Sequence, residues 1–144
     1  MIKIAIVGSR EKYWKPEQRR EVVKLIKSAL FKHMSSFYGR HEMIQDTTSI
    51  TLISGGCPYG GVDVWAEVVA DLYDIKKEIF YPEQNRSESF FDRNIKIARE
   101  CEIIYCFQPE QKPRGGGTWT LEQAEIIGKE THLVIIGDKP DASD

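Results

Sequence analysis

Three stretches of this sequence place glycine with hydroxyl or guanidinium groups in the loops that follow apolar runs. They are "GSR" at residues 8–10, "SGGCPYGGVD" at residues 54–63 and "RGGGT" at residues 114–118. Four of the seven residues from Gly55 to Gly61 are glycine, whereas a tight turn needs one or two. Glycine turns expose backbone N–H groups. A helix that starts at such a turn adds its dipole, and together they favour an anion, most often phosphate. Ser9, Ser54 and Thr118 add hydroxyl donors, while Arg10 and Arg114 add guanidinium groups that grip phosphate in a bidentate way. The residues expected around an anion are therefore Gly8, Ser9, Arg10, Ser54, Gly55, Gly56, Gly60, Arg114, Gly115, Gly116, Gly117 and Thr118. Asp63 opens the next helical pattern and reads either as a ligand contact or as a solvated helix cap. Trp119 reads as core or as a wall against a base. Taken singly, each glycine also reads as a plain turn former.

Other chemistries find less support. No GxGxxG follows the first apolar run and no GxxxxGK[ST] occurs, so the dinucleotide fingerprint and the P-loop are both absent. Cys57 lies in the glycine loop with no histidine near it in sequence, and Cys101 and Cys106 read as small buried hydrophobes. His33, His41 and His132 are scattered without metal-ligand spacing. No metal and no cofactor are expected.

The elements that must position these loops are five apolar runs: 2–7, 50–53, 77–81, 102–107 and 132–137. They are rich in Ile, Val, Phe and Tyr and lack strict alternation, as strands covered on both faces do. Helical patterns separate them, at 16–34, 61–73, 86–99 and 119–129. The first carries a stripe of Val22, Val23, Ile26, Leu30 and Met34 behind Pro16; the second carries Val64, Trp65, Val68, Val69 and Leu72. Phe90, Phe91, Ile95 and Ala98 mark the third, with Asn85 as its cap. Leu121, Ala124, Ile127 and a terminal Gly128 mark the fourth, with Thr120 and Gln123 at capping-box spacing. Alternating strands and helices imply a parallel sheet with right-handed crossovers. The expected fold is an α/β, three-layer Rossmann-like domain over residues 1–137, with strand order 3-2-1-4-5 and helices on both faces. Residues 35–49 read as a mobile surface loop and 138–144 as a frayed tail. In such a sheet the loops after runs one, two and four meet at the edge where strand order reverses, which is where ligands bind.

Composition fits that picture. The chain has 144 residues, 41% hydrophobic and 29% charged, with net charge −2. No apolar run approaches the roughly 18 residues that span a bilayer, and the short N-terminal run leads straight into glycine, so no membrane and a cytoplasmic setting are expected. Residues 1–45 hold ten Lys/Arg against four Asp/Glu. The simplest source is an amphipathic first helix with a solvated face.

The quoted loops resemble the SLOG superfamily, which joins DprA-type DNA-processing proteins with the Lonely Guy phosphoribohydrolases. "VGSR", "ISGGCPYGGVD", "RN" at 93–94 and "GGGT" carry the resemblance across residues 1–137. The nearest pattern is the small stand-alone branch of YspA and cpYpsA-related proteins. The resemblance implies a Rossmann-like domain that binds a nucleotide or nucleotide-derived small molecule. It adds Arg93 and Asn94 to the candidate pocket. The hydrolase branch uses PGGxGTxxE, with a catalytic glutamate. Here the stretch is "RGGGTWTLE", with Arg114 in place of the proline and Glu122 one position late. One position on a helix is about 100° of rotation. Binding or sensing is therefore the leading expectation. Hydrolysis of a nucleotide N-glycosidic bond is the alternative, with Asp63 and Glu122 as the carboxylates. A DNA-binding module of DprA type is a second alternative that the net charge disfavours, and a homodimer is compatible with either reading.

Overall fold

Along the first strand, Ile4 and Ile6 point to one apolar cluster, and Ala5 and Val7 point to another. A strand buried on both faces belongs in the middle of a sheet. In the computed structural model, which describes residues 1–84 and 86–138, that is its place. The elements in chain order are β1 (Ile2–Gly8), α1 (Pro16–Lys32), β2 (Ser35–Gly39), β3 (Glu42–Asp46), β4 (Ile50–Ser54), α2 (Val62–Leu72), β5 (Lys76–Ile79), α3 (Ser87–Glu100), β6 (Ile103–Pro109), α4 (Gly116–Ile126) and β7 (Glu130–Ile136). Five strands form one parallel sheet in the order β5-β4-β1-β6-β7. This is the order 3-2-1-4-5 of the apolar runs. Ile4 of β1 stands opposite Leu52 of β4 on one side and Ile103 of β6 on the other.

Two helices cover each face. Val22, Ile26 and Leu30 of α1 and Trp65, Ala66 and Val69 of α2 pack on Ile4, Ile6, Leu52 and Phe107. Ile97 and Ala98 of α3 and Leu121 and Ala124 of α4 pack on Ala5, Val7, Ile53, Ile104 and Cys106. The architecture is a three-layer α/β Rossmann-like fold. Among the described residues no helix is long and apolar enough to cross a membrane.

Several local expectations are corrected. Residues 35–46 are an antiparallel hairpin, β2 with β3, rather than a loop. Its two-residue turn is built by Arg40 and His41, with φ of 49° and 69°. Hairpins favour this left-handed turn, which Asn-Gly usually signals. On α2 the inward face is rotated: Ala66 and Ala70 take core positions, while Val68 and Leu72 are exposed. Phe91 and Ile127 are exposed too. Helix α4 begins at Gly116, three residues before the expected 119, so the GGGT stretch lies at its start. Its cap is Thr118, whose hydroxyl accepts from Gly115 N at 2.9 Å and donates to Gly115 O at 2.8 Å. Thr120 sits inside the helix and donates to Gly116 O at 2.8 Å, so no capping box forms with Gln123. Asn85 and residues 139–144 lie outside the described residues.

Candidate functional site

The end of β1 is packed tightly against its neighbours. A Cβ on Gly8 would lie 2.2 Å from Phe107 O and 2.6 Å from Val62 Cγ2. One on Gly117 would lie 3.0 Å from both Cα and N of Gly8. Gly61, at φ +93°, would place its Cβ 2.3 Å from Ser9 O, and no L side chain adopts that backbone comfortably. These glycines let the first turns of α2 and α4 close onto the end of β1. The backbone that approaches so closely is the protein's own. Beside Gly115 and Gly116 an added Cβ would meet only ordinary contacts, with nearest atoms at 3.7 Å (Gln108 Nε2) and 3.8 Å (Asn94 Nδ2).

That packing leaves a cleft of about 330 Å³ at the carboxyl edge of the sheet. The end of β1 and the loop after it contribute Gly8, Ser9, Arg10 and Tyr13 to its walls. Cys57 and Tyr59 come from the β4–α2 loop and Asp63 from α2. Helix α3 supplies Phe90, Phe91, Arg93 and Asn94. The β6–α4 loop and the start of α4 supply Lys112, Gly115, Gly116, Gly117 and Thr120. The size is within the range of small-molecule sites.

Its electrostatics centre on two buried charges. Arg93 is 7% exposed, donates from Nη1 to Gly55 O, and has Nε without a hydrogen-bond partner among the described residues. Asp63 is also 7% exposed. Burial pushes its carboxyl up to about 7, and Glu67 pushes the same way. The Arg93 guanidinium and the Cys57 backbone N–H pull it down by less. At the rim, the Arg10 guanidinium lies over the Tyr59 ring at 4.4 Å and Lys112 over Tyr13 at 5.3 Å. Phe91 meets Trp119 edge-on, with ring centroids 4.8 Å apart, so Trp119 backs the aromatic wall.

Nine of the candidate residues come together in this cleft: Gly8, Ser9, Arg10, Asp63, Arg93, Asn94, Gly115, Gly116 and Gly117. The others lie elsewhere. Ser54 stands behind the wall and donates to Glu67 Oε2 at 2.6 Å. Gly55 lies beneath Arg93, Gly56 packs against Tyr81, and Gly60 faces Glu11. Thr118 is taken up in capping α4. Arg114 and Glu122 pair with each other on the surface, their side chains 73% and 44% exposed, so Glu122 and Asp63 do not share a site. Burial raises the Cys57 thiol, away from the thiolate a nucleophile needs. No group of three or more His, Cys, Asp or Glu among the described residues is placed to hold a metal.

Tyr13, Tyr59, Phe90, Phe91, Lys112 and Thr120 line the cleft without having been singled out as ligand contacts in the sequence. For Tyr59 a signal existed, since an aromatic residue between proline and glycine in a polar loop has no core to enter. Phe90 and Phe91 carried the opposite signal, because helical spacing reads as core. Compared with known proteins, the chain matches no family model and no curated protein, so the geometry of this cleft carries the functional reading.

Proposed function

We propose that the cleft binds a nucleotide or nucleotide-derived ligand through its phosphate, in a sensing or processing role. The observation that carries this reading is Arg93, a buried guanidinium at the cleft wall whose Nε has no hydrogen-bond partner among the described residues. A buried charge without full hydrogen bonding is costly unless something else engages it. The first turn of α4 supports the same reading. Gly116 and Gly117 line the cleft, and first-turn amides have no acceptor within their own helix. Arg10 and Lys112 add positive charge at the rim. Phe90, Phe91, Tyr13 and Tyr59 offer ring faces and edges to a base or sugar. The resemblance to the SLOG superfamily agrees with this assignment.

Thermal shift against mononucleotides, cyclic nucleotides, ADP-ribose and NAD tests the reading. A ligand at 100 times its dissociation constant stabilises the fold by about 2.7 kcal/mol. The expected result is a shift with at least one member and its loss in Arg93→Gln. Silence across the panel would overturn the proposal.

Hydrolysis of an N-glycosidic bond is a second reading, supported by Asp63 alone. A carboxyl that titrates near 7 in a cleft wall suits a general acid or base. Glu122 has no part in it, because its carboxylate pairs with Arg114 away from the cleft. Release of free base from nucleoside monophosphates, lost in Asp63→Asn and kept in Glu122→Ala, is the outcome this reading requires.

A further inference from the structure

We propose that anion binding in this cleft is coupled to the uptake of one proton by Asp63, so that the protein's own carboxyl sets the pH dependence of the site. The inference rests on the phosphate-binding reading above and concerns the same cleft. It starts at Gly55. The small volume where its Cβ would stand is bounded by Arg93 Nη1 at 2.2 Å and Asp63 Oδ2 at 2.9 Å. The two buried charged groups therefore converge on one glycine-sized space, and both line the cleft.

The groups that face Asp63 come from every surrounding element. Arg93 of α3 is the cation against it, and Glu67 of α2 adds negative charge. The β4–α2 loop brings the Cys57 N–H. The thiols of Cys57 in that loop and Cys106 on β6 are both raised, so they stay neutral near pH 7 and supply no compensating charge. Arg10, on the loop after β1, lines the same wall. Arg93 is thus the nearest buried support for an ionised Asp63.

An incoming dianion competes for that guanidinium and adds negative charge beside the carboxylate. Like charges in a low-dielectric wall raise one another's proton affinity. Free Asp63 already titrates near neutrality, so a modest push is enough. The carboxylate then takes a proton from solvent and becomes a neutral carboxylic acid, and Arg93 is left to the anion.

The sign follows. The anion prefers the protonated form, so affinity is highest below pH 7 and falls as pH rises through 7 towards the higher value of the complex. Binding is expected to be about tenfold weaker at pH 8 than at pH 6.

Inorganic sulfate is the probe, because its charge is constant between pH 6 and pH 8 and any proton taken up belongs to the protein. Sulfate titrations followed by backbone amide shifts give the affinity at each pH. Calorimetry in buffers of different ionisation enthalpy counts the protons. The expected result is net uptake approaching one proton near pH 8, with both uptake and pH dependence lost in Asp63→Asn. A carbon-13 titration of the Asp63 carboxyl in the wild type, with and without sulfate, needs no variant and is expected to move upward in pH. Equal affinity at pH 6 and pH 8, uptake that persists in Asp63→Asn, an unmoved Asp63 titration, or no sulfate binding at all would each overturn the proposal. ADP-ribose, whose charge is also constant in this range, separates the two readings. If it binds without proton uptake, the nucleotide reading stands and the coupling fails. If sulfate shows the coupling while no nucleotide binds, the coupling stands and the nucleotide reading fails.

Discussion

At the scale of single residues, Gly116 and Gly117 divide packing from binding. An added methyl at Gly117 meets the Cα and N of Gly8 at 3.0 Å, and backbone in the middle of a sheet cannot swing aside. Gly117→Ala is therefore expected to lose about 1–3 kcal/mol in urea denaturation. At Gly116 the nearest atom is 3.8 Å away, an ordinary contact, and the methyl projects beside the cleft. Gly116→Ala is expected to stay within about 0.5 kcal/mol of wild type while reducing ligand-induced thermal shifts. Equal destabilisation by the two variants would contradict this division. The glycines were legible in the sequence as a special feature, but what fills the space beside them was not. The atoms against Gly8 belong to Phe107 and Val62, and those against Gly61 belong to Ser9 and its neighbours. Such partners become neighbours only through the tertiary fold. Arg114 and Glu122 show the same limit: they pair with each other across the start of α4, and neither lines the cleft.

At the scale of elements, the start of α1 is tied to distant parts of the chain by one fully buried side chain, Gln18. Its Oε1 accepts from Lys15 N at 3.0 Å. Its Nε2 donates to Gly137 O at 3.0 Å and to Gln111 Oε1 at 2.9 Å. Gln111 precedes Lys112 in the β6–α4 loop, so Gln18 also steadies one wall of the cleft. Gln18→Met keeps the volume and removes the hydrogen bonds. The expected cost is about 1–3 kcal/mol, with faster amide hydrogen exchange over residues 110–115. Unchanged exchange there would show that the loop is held by other contacts. The parallel strands were legible because β1, β4 and β6 are buried on both faces and leave continuous apolar runs. The β2–β3 hairpin was not, since both strands are largely exposed and Arg40–His41 makes the turn without glycine. The face of α2 was misplaced because large exposed residues, Val68 and Leu72, outweighed the buried alanines.

At the scale of the whole molecule, the buried carboxyl that lines the cleft acts against the stability of the fold. Parallel strands and right-handed crossovers open a crevice where β1 and β6 part towards helices on opposite faces, and Asp63 closes one wall of it. An exposed aspartate in the unfolded chain titrates at about 3.9, whereas Asp63 in the folded protein titrates at about 7. The folded state therefore binds the proton more tightly. The stability this contributes is fully present below pH 4 and is lost as pH rises to 7 and above. At 1.36 kcal/mol per unit, the loss is on the order of 4 kcal/mol. Asp63→Asn carries no such titration, while every other carboxyl is common to both proteins and cancels in the difference. The variant is expected to match wild type near pH 4 and to exceed it increasingly up to pH 8, measured by urea denaturation across that range. A gap that is constant with pH, or one that favours wild type at pH 8, would mean that Arg93 compensates the carboxylate fully. In that case Asp63 is ionised at rest, and an anion entering the cleft competes with its carboxylate for Arg93.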